Sequence, residues 1–270
     1  PSGARLWERA GLVGEEGSRV VVTPEPSSIV IAAGWKVTND NPASTDAIIW
    51  RHLPDKSVWT TTLKAPFTAD EMPDINNIQS ERIRASLFDP DSGALVVVGE
   101  REFRINVFQA LSRTFVARFA PLGAAIGAPW TSSGDAYPHD AANSIARCGD
   151  TLLLGGWTRE DDPGTEPQPL IRWIAEDLSW TKRSAEPMPA TRIFGAACDR
   201  EGKVVSAGLK KSAGLDAQVF AFEDPLGART WYETGSMGDD GAGGLACNGR
   251  GFCAWPGFRS VDGKQVAVMR

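Results

Sequence analysis

Five tryptophans that follow a small residue or a turn recur in this chain, in "ARLWERA", "KSVWTTT", "GAPWTSS", "DLSWTKR" and "ARTWYET". They place Trp7, Trp59, Trp130, Trp180 and Trp231 at spacings of 52, 71, 50 and 51 residues. A second series closes an apolar run with glycine: Gly34 in "IVIAAGWK", Gly99 in "LVVVGER", Gly156 in "LLLGGWT", Gly208 in "VVSAGLK" and Gly257 in "CAWPGFR", spaced 65, 57, 52 and 49 residues apart. Two independent marker series that keep one order define a repeating unit of about 50 residues, the period of stacked or radial repeat architectures.

Each unit reads as four short strands. After the tryptophan strand comes a small-residue segment ("IARC", "GAACD", "GLACN"), a Gly/Asp/Asn turn, the apolar strand ending at the marker glycine, and an alternating strand such as "DAIIWRH" or "PLIRWIA". Four strands make one propeller blade. The expectation is an all-β, five-bladed β-propeller occupying residues 1–270 as a single domain, with the marker tryptophans packed between blades where large aromatics fill the wide rim. The chain begins on a tryptophan strand and ends after "KQVAVMR", so the N-terminal strand is expected to complete the last blade, Ala4–Glu8 pairing with Gln265–Val268 and removing two sheet edges.

The stretch "SWTKRSAEPMPATRIFGAACDREGKVVSAG", with "VFAF" and Trp231 beyond it, resembles a kelch-type repeat, and Gly155–Gly156 supplies the double glycine of that family once. The pattern "ACDREGKVVSAG" also resembles repeats of bacterial extracytoplasmic propeller proteins. The resemblance spans the chain; it implies a fold and not an activity.

Charge and motif content narrow the function. A formal charge of -6 and the absence of any Lys/Arg run argue against a nucleic-acid partner. No apolar run approaches the roughly 20 residues of a membrane-spanning helix. The chain begins at Pro1 without an initiator Met or a signal segment, which predicts a processed chain or a part of a longer one. Two histidines, His52 and His139, stand in no metal-spaced pair, and nucleotide-binding glycine motifs and serine-hydrolase elbows are missing. No cofactor is implied, although Asp161, Asp162, Asp239 and Asp240 sit in acidic segments that could offer oxygen ligands to calcium without the full spacing of a calcium loop.

Loop lengths locate the expected function. From marker glycine to the centre of the next strand the chain takes 15, 17 and 15 residues in units one to three, then 11 and 9. Long loops on a rigid scaffold are where binding concentrates. The face over units one to three is therefore the expected binding surface, with Trp35, Glu100, Arg101, Phe103, Arg104, Trp157 and Arg159 as exposed candidates. Trp35 and Trp157, each directly after its glycine, face either the ligand or the core. Arg192, after "PMPAT", reads as an ion-paired organiser of its loop. The resulting expectation is a non-catalytic, extracytoplasmic binding module for a protein or glycan partner. The alternatives are a structural subunit of a cell-envelope assembly and a glycan-active hydrolase with a carboxylate pair drawn from Glu100, Asp135, Asp140 and Asp239.

Four cysteines are compatible with an oxidising compartment. In "ACNGRGFC" a three-residue turn at Gly249, Arg250 and Gly251 would set Cys247 opposite Cys253, predicting a disulfide there. Cys148 and Cys198, at equivalent places in neighbouring units, are expected to be free buried thiols.

Overall fold

The computed structural model describes residues 15–22, 30–40, 43–52, 58–63, 79–89, 92–104, 110–120, 123–132, 139–160, 165–179, 181–183, 191–198, 202, 204–211, 215–222, 228–233, 240–247, 253–262 and 264–269. Unit one contains β1 (Glu15–Val22), β2 (Val30–Asp40), β3 (Ala43–His52) and β4 (Val58–Leu63), each antiparallel to the next. Unit two repeats the order with β5 (Gln79–Phe88), β6 (Leu95–Arg104), β7 (Ala110–Phe119) and β8 (Trp130–Thr131). Unit three follows with β9 (His139–Cys148), β10 (Thr151–Arg159), β11 (Gln168–Ala175) and β12 (Thr181–Arg183), and unit four with β13 (Thr191–Cys198), β14 (Val204–Lys211), β15 (Leu215–Phe222) and β16 (Ala228–Glu233). The last unit holds β17 (Asp240–Ala242), β18 (Ala246–Cys247), β19 (Cys253–Ala254), β20 (Pro256–Val261) and β21 (Lys264–Met269).

The second strands explain the packing. A continuous apolar run is what a strand buried on both faces requires. In β6, Leu95 and Val97 join Ile31, Ala33 and Ile49 of unit one, while Val96 and Val98 turn the other way to Leu152, Leu154 and Ile174 of unit three. Leu153 and Val204 share the next cluster with Ile171 and Ile193, and Val205 and Ala207 the one after with Trp255. Successive units thus pack face against face. Trp130 is half-buried against the cluster between units two and three.

The marker glycines have a steric cause. Gly99, Gly156 and Gly208 each lie across from a bulge in the first strand, where Arg84, Asn143 and Phe194 are the extra residues. A Cβ on any of the three would collide with the main-chain carbonyl of Arg82, Ala141 or Arg192 respectively. Bulges reverse the side-chain alternation, so Ile83 packs towards unit one and Ala85 towards unit three.

The expected closed five-bladed propeller is corrected by the sheet order. Parallel bridges at Thr45↔Ser80 and Ser112↔His139 fuse units one to three into one 12-stranded mixed sheet. Unit four is a separate four-stranded sheet, and the last unit is divided between a three-stranded and a two-stranded sheet. The fusion has a local reason: at the start of each third strand a hydroxyl reaches the next unit's first strand, Thr45 Oγ1 donating to Glu81 O (3.4 Å) and Ser112 Oγ to Asp140 O (3.3 Å). Spacing of markers counts units but carries no information about such bridges. At the other end, β21 pairs only with β20 among the described residues, leaving Val266 47% and Met269 76% exposed. Ala4–Glu8, expected to cover that edge, lies outside the described residues.

Candidate functional site

The residue after each marker glycine stands beside the bulged first strand. Trp35, Glu100 and Trp157 occupy this place in units one, two and three, and their cross-strand partners are Glu16, Arg82 and Ala141. The bulge at Arg84 sets two guanidinium groups beside one carboxylate. Arg82 Nη1 lies 3.4 Å from Glu100 Oε1, and Arg84 Nη2 donates to the same oxygen at shorter range. Arg84 also spans the unit boundary, its guanidinium 5.7 Å from the centre of the Trp35 ring. The arrangement recurs two units on, where exposed Arg192 of β13 sits 5.4 Å from the Trp157 ring of β10. Trp35 and Trp157 are both half-buried, part platform and part packing. On β9, Asn143 Nδ2 donates to Ile193 O (2.9 Å), tying the first strands of units three and four together.

None of the expected surface residues whose side chains are described is fully exposed. Glu100 is nearly buried and held by two arginines, and Arg101 is wholly buried, with its Nε 3.4 Å from Glu81 Oε1. The expectation that both are exposed loop residues is corrected by the length of β6, which runs on to Arg104 beyond the glycine and turns Arg101 inward. Arg159 is half-buried at the end of β10. Phe103 and Arg104 close β6, with side chains outside the described set. Arg192 is exposed and stacked rather than an ion-paired loop organiser. Arg82 and Arg84 were not among the expected residues, although "QSERIRAS" carries a signal: two arginines spaced two apart within one first strand.

A second cluster is buried around one carboxylate. Asp140 accepts from Thr114 N and Ser132 Oγ, both at 2.6 Å, and from Arg172 Nη2 at 3.3 Å, while Arg172 lies 5.0 Å from the Trp130 ring. This carboxylate clasps units two and three. Glu100 and Asp140 therefore both serve as counter-ions to arginine. Asp135 and Asp239, the other candidate acids, lie outside the described residues, as do Asp161 and Asp162; Asp240 opens β17 with its side chain undescribed. No group of three His, Cys, Asp or Glu able to hold a metal occurs among the described residues.

Two disulfides join the cysteines. Cys247 and Cys253 face one another across β18 and β19 and are bonded, with Cα atoms 4.0 Å apart. Cys148 and Cys198 are also bonded, Cα to Cα 5.6 Å, which corrects the expectation of free thiols. They end β9 and β13, neighbouring first strands, so equivalence in the repeat brings them together. Among the described residues no helix is long and apolar enough to cross a membrane.

No protein-family model matches the chain, and no curated protein matches it. Solved structures do. A PL25 polysaccharide lyase, an ulvan lyase, aligns over 98% of this chain and 68% of its own length with a TM-score of 0.58 at 9% identity. A protein of unknown function from Dyadobacter fermentans aligns over 92% of this chain and 73% of its own, with a TM-score of 0.54 at 12% identity. Neither is described as a kelch-repeat protein. At these identities the likeness is one of fold.

Proposed function

We propose that this chain acts outside the cytoplasm on an anionic polysaccharide, binding it across the arginine–tryptophan stacks of units one to four and cleaving it by elimination. The observation that carries the reading is Arg84, stacked on Trp35 while its guanidinium meets Glu100. Arg192 on Trp157 repeats the stack. An indole offers an apolar face to a sugar ring, and a guanidinium offers a planar fork to a carboxylate or sulfate, so the pair suits a charged sugar better than a neutral one. In an elimination a base takes the ring proton beside the uronate carboxylate, the C4–O bond breaks as the C4=C5 double bond forms, and the departing glycosidic oxygen takes up a proton; neutralising the carboxylate lowers the cost of the first of these events. The polysaccharide lyase named among the similar structures supports a glycan-directed role. Both described candidates for a hydrolytic carboxylate pair, Glu100 and Asp140, are occupied by arginine, which weighs against hydrolysis. Two disulfides favour an oxidising compartment.

Incubation with uronate-bearing, sulfated and neutral polysaccharides tests the reading. Elimination generates an unsaturated uronate with a new ultraviolet absorbance. Reducing ends without that absorbance would mean hydrolysis, and calorimetric binding without either product would mean a binding module. Equal binding of neutral and anionic chains, or binding of neither, would overturn the proposal.

A further inference from the structure

Three arginines are the largest fully buried side chains among the described residues: Arg51, Arg101 and Arg172. A buried charge is tolerated when an opposite charge and hydrogen bonds replace its lost water. Arg101 has Glu81 and Arg172 has Asp140. Arg51, on β3 and 2% exposed, has one neutral hydroxyl: its Nη1 donates to Thr61 Oγ1 at 3.0 Å, while Nε and Nη2 are buried without a hydrogen-bond partner. No ion pair to Arg51 occurs among the described residues.

The atoms left over are chemically specific. Nε–H and the neighbouring Nη2–H are the parallel pair on the side edge of a guanidinium, the edge that takes two oxygens of one carboxylate, sulfate or phosphate in a fork. Thr61 occupies the other end of the group. The turn that closes over Arg51 is shaped to it. Gly123 adopts φ +98°, and a Cβ there would lie 2.7 Å from Arg51 Nη1 and 3.0 Å from Cζ. Burial lowers the guanidinium pKa from its ordinary value. Arg51 lies four residues further along β3 than Ala47, the cross-strand partner of Trp35.

We infer that Arg51 is the core of an internal oxyanion site, in which Nε and Nη2 take two oxygens of one small carboxylate, sulfate or phosphate ion on the guanidinium edge turned away from Thr61. The ion supplies the missing counter-charge. The site is independent of the polysaccharide reading.

The test is thermal unfolding of the wild type and of Arg51→Met in acetate, sulfate, phosphate and chloride at constant ionic strength and cation. General salt effects act equally on both proteins. A forked site predicts a saturable rise of about 5 °C in the wild type with one or more of the oxyanions and little with chloride, as ligand linkage requires. Arg51→Met should lose that rise and melt no lower than the wild type in chloride, since it removes an uncompensated buried charge. The three oxyanion arms identify which source fills the fork. Arg84→Gln should keep the response, separating this site from the stacks. If Arg51→Met does not fold, equilibrium dialysis of labelled sulfate, phosphate and acetate against Arg84→Gln with Arg192→Gln decides: about one ion per chain supports the site. An identical anion response in wild type and Arg51→Met, or no bound oxyanion in dialysis, overturns it.

Discussion

Glu81 and Asp140 hold the same position in successive units. Each follows the residue that makes the parallel bridge to the unit before, Ser80 or His139, and each sets its carboxylate on a buried arginine, Arg101 at 3.4 Å or Arg172 at 3.3 Å. The repeat therefore conserves a charge as well as a strand order across its second and third units. At Asp140 the carboxylate also crosses the seam where one unit's third strand meets the next unit's first, accepting from Thr114 N.

Removing that acid should be expensive. Asp140→Ala leaves the Arg172 guanidinium and the Thr114 amide without their shared acceptor, and breaking a buried pair from one side costs about 3–5 kcal/mol. Ser132→Ala removes a donor to Asp140 and a second acceptor for Thr114 N, which keeps Asp140, and should cost about 1 kcal/mol. Urea unfolding of both variants checks the order; equal losses would mean the carboxylate is no more than another hydrogen-bond partner.

The marker glycines make a sharper stability prediction. Gly156→Ala puts a methyl group into the Ala141 carbonyl, main chain against main chain, with no flexible side chain to yield. The expected loss is about 3 kcal/mol or more, within the range of severe steric substitutions. Gly149→Ala is the control: its Cβ meets nothing within 4 Å, though φ +58° adds a smaller backbone strain. Unfolding midpoints of the two variants give the comparison.

These glycines are also why the repeat was legible. A strand that must pass a bulged carbonyl has no substitute for glycine, so the position stands out in units two to four, and the adjoining apolar runs reveal burial on two faces. Sheet connectivity was not legible, because the single bridges at Thr45 and Ser112 depend on register between units rather than on residue type. Arg101 was misplaced for a related reason: the glycine reads as a strand end, yet β6 continues to Arg104 and alternation carries Arg101 to Glu81. Of the site, Trp35, Glu100 and Trp157 were legible from their place after the glycine. The arginines on the two tryptophans come from the following unit's first strand, and those on Glu100 from the first strand of its own unit, relations in space that adjacent residues do not encode.

Ligand binding at the stacks should separate from stability. Arg192 is exposed and its interaction with Trp157 is a surface cation–π contact, so Arg192→Ala should change unfolding by no more than about 0.5 kcal/mol. Loss of a charge-assisted contact to an anionic sugar should weaken binding by about 1.5–3 kcal/mol, read by titration calorimetry with an anionic polysaccharide. Parallel loss of stability and affinity would place Arg192 in the packing.

Asp177 offers a local pH probe. The Ser179 side chain and then the Ser179 amide donate to its carboxylate, holding its pKa below the usual carboxylate value. A depressed folded pKa contributes stability above the unfolded value, and that contribution is lost as pH falls through the folded pKa. Nuclear magnetic resonance titration of Asp177 should give a midpoint below that of an unstructured peptide. Ser179→Ala should move it upward; an unchanged midpoint would remove the side-chain hydroxyl as the main cause.

The two disulfides should differ in weight. Cys148–Cys198 closes a segment of sequence separation 50 between neighbouring units, whereas Cys247–Cys253 closes one of separation 6 within a hairpin. Chain-entropy arguments assign about 4 kcal/mol to the first and about 2 kcal/mol to the second, because a longer loop loses more freedom in the unfolded chain. The Cys148→Ala/Cys198→Ala pair should therefore lower the denaturation midpoint more than Cys247→Ala/Cys253→Ala, on top of any loss of packing against Leu153 and Ile193. Mass analysis after alkylation provides the covalent check: the unreduced, denatured protein should take up no label, and the reduced protein should take up four. Two labels without reduction would show that one bridge does not form, and the identity of the labelled peptides would show which.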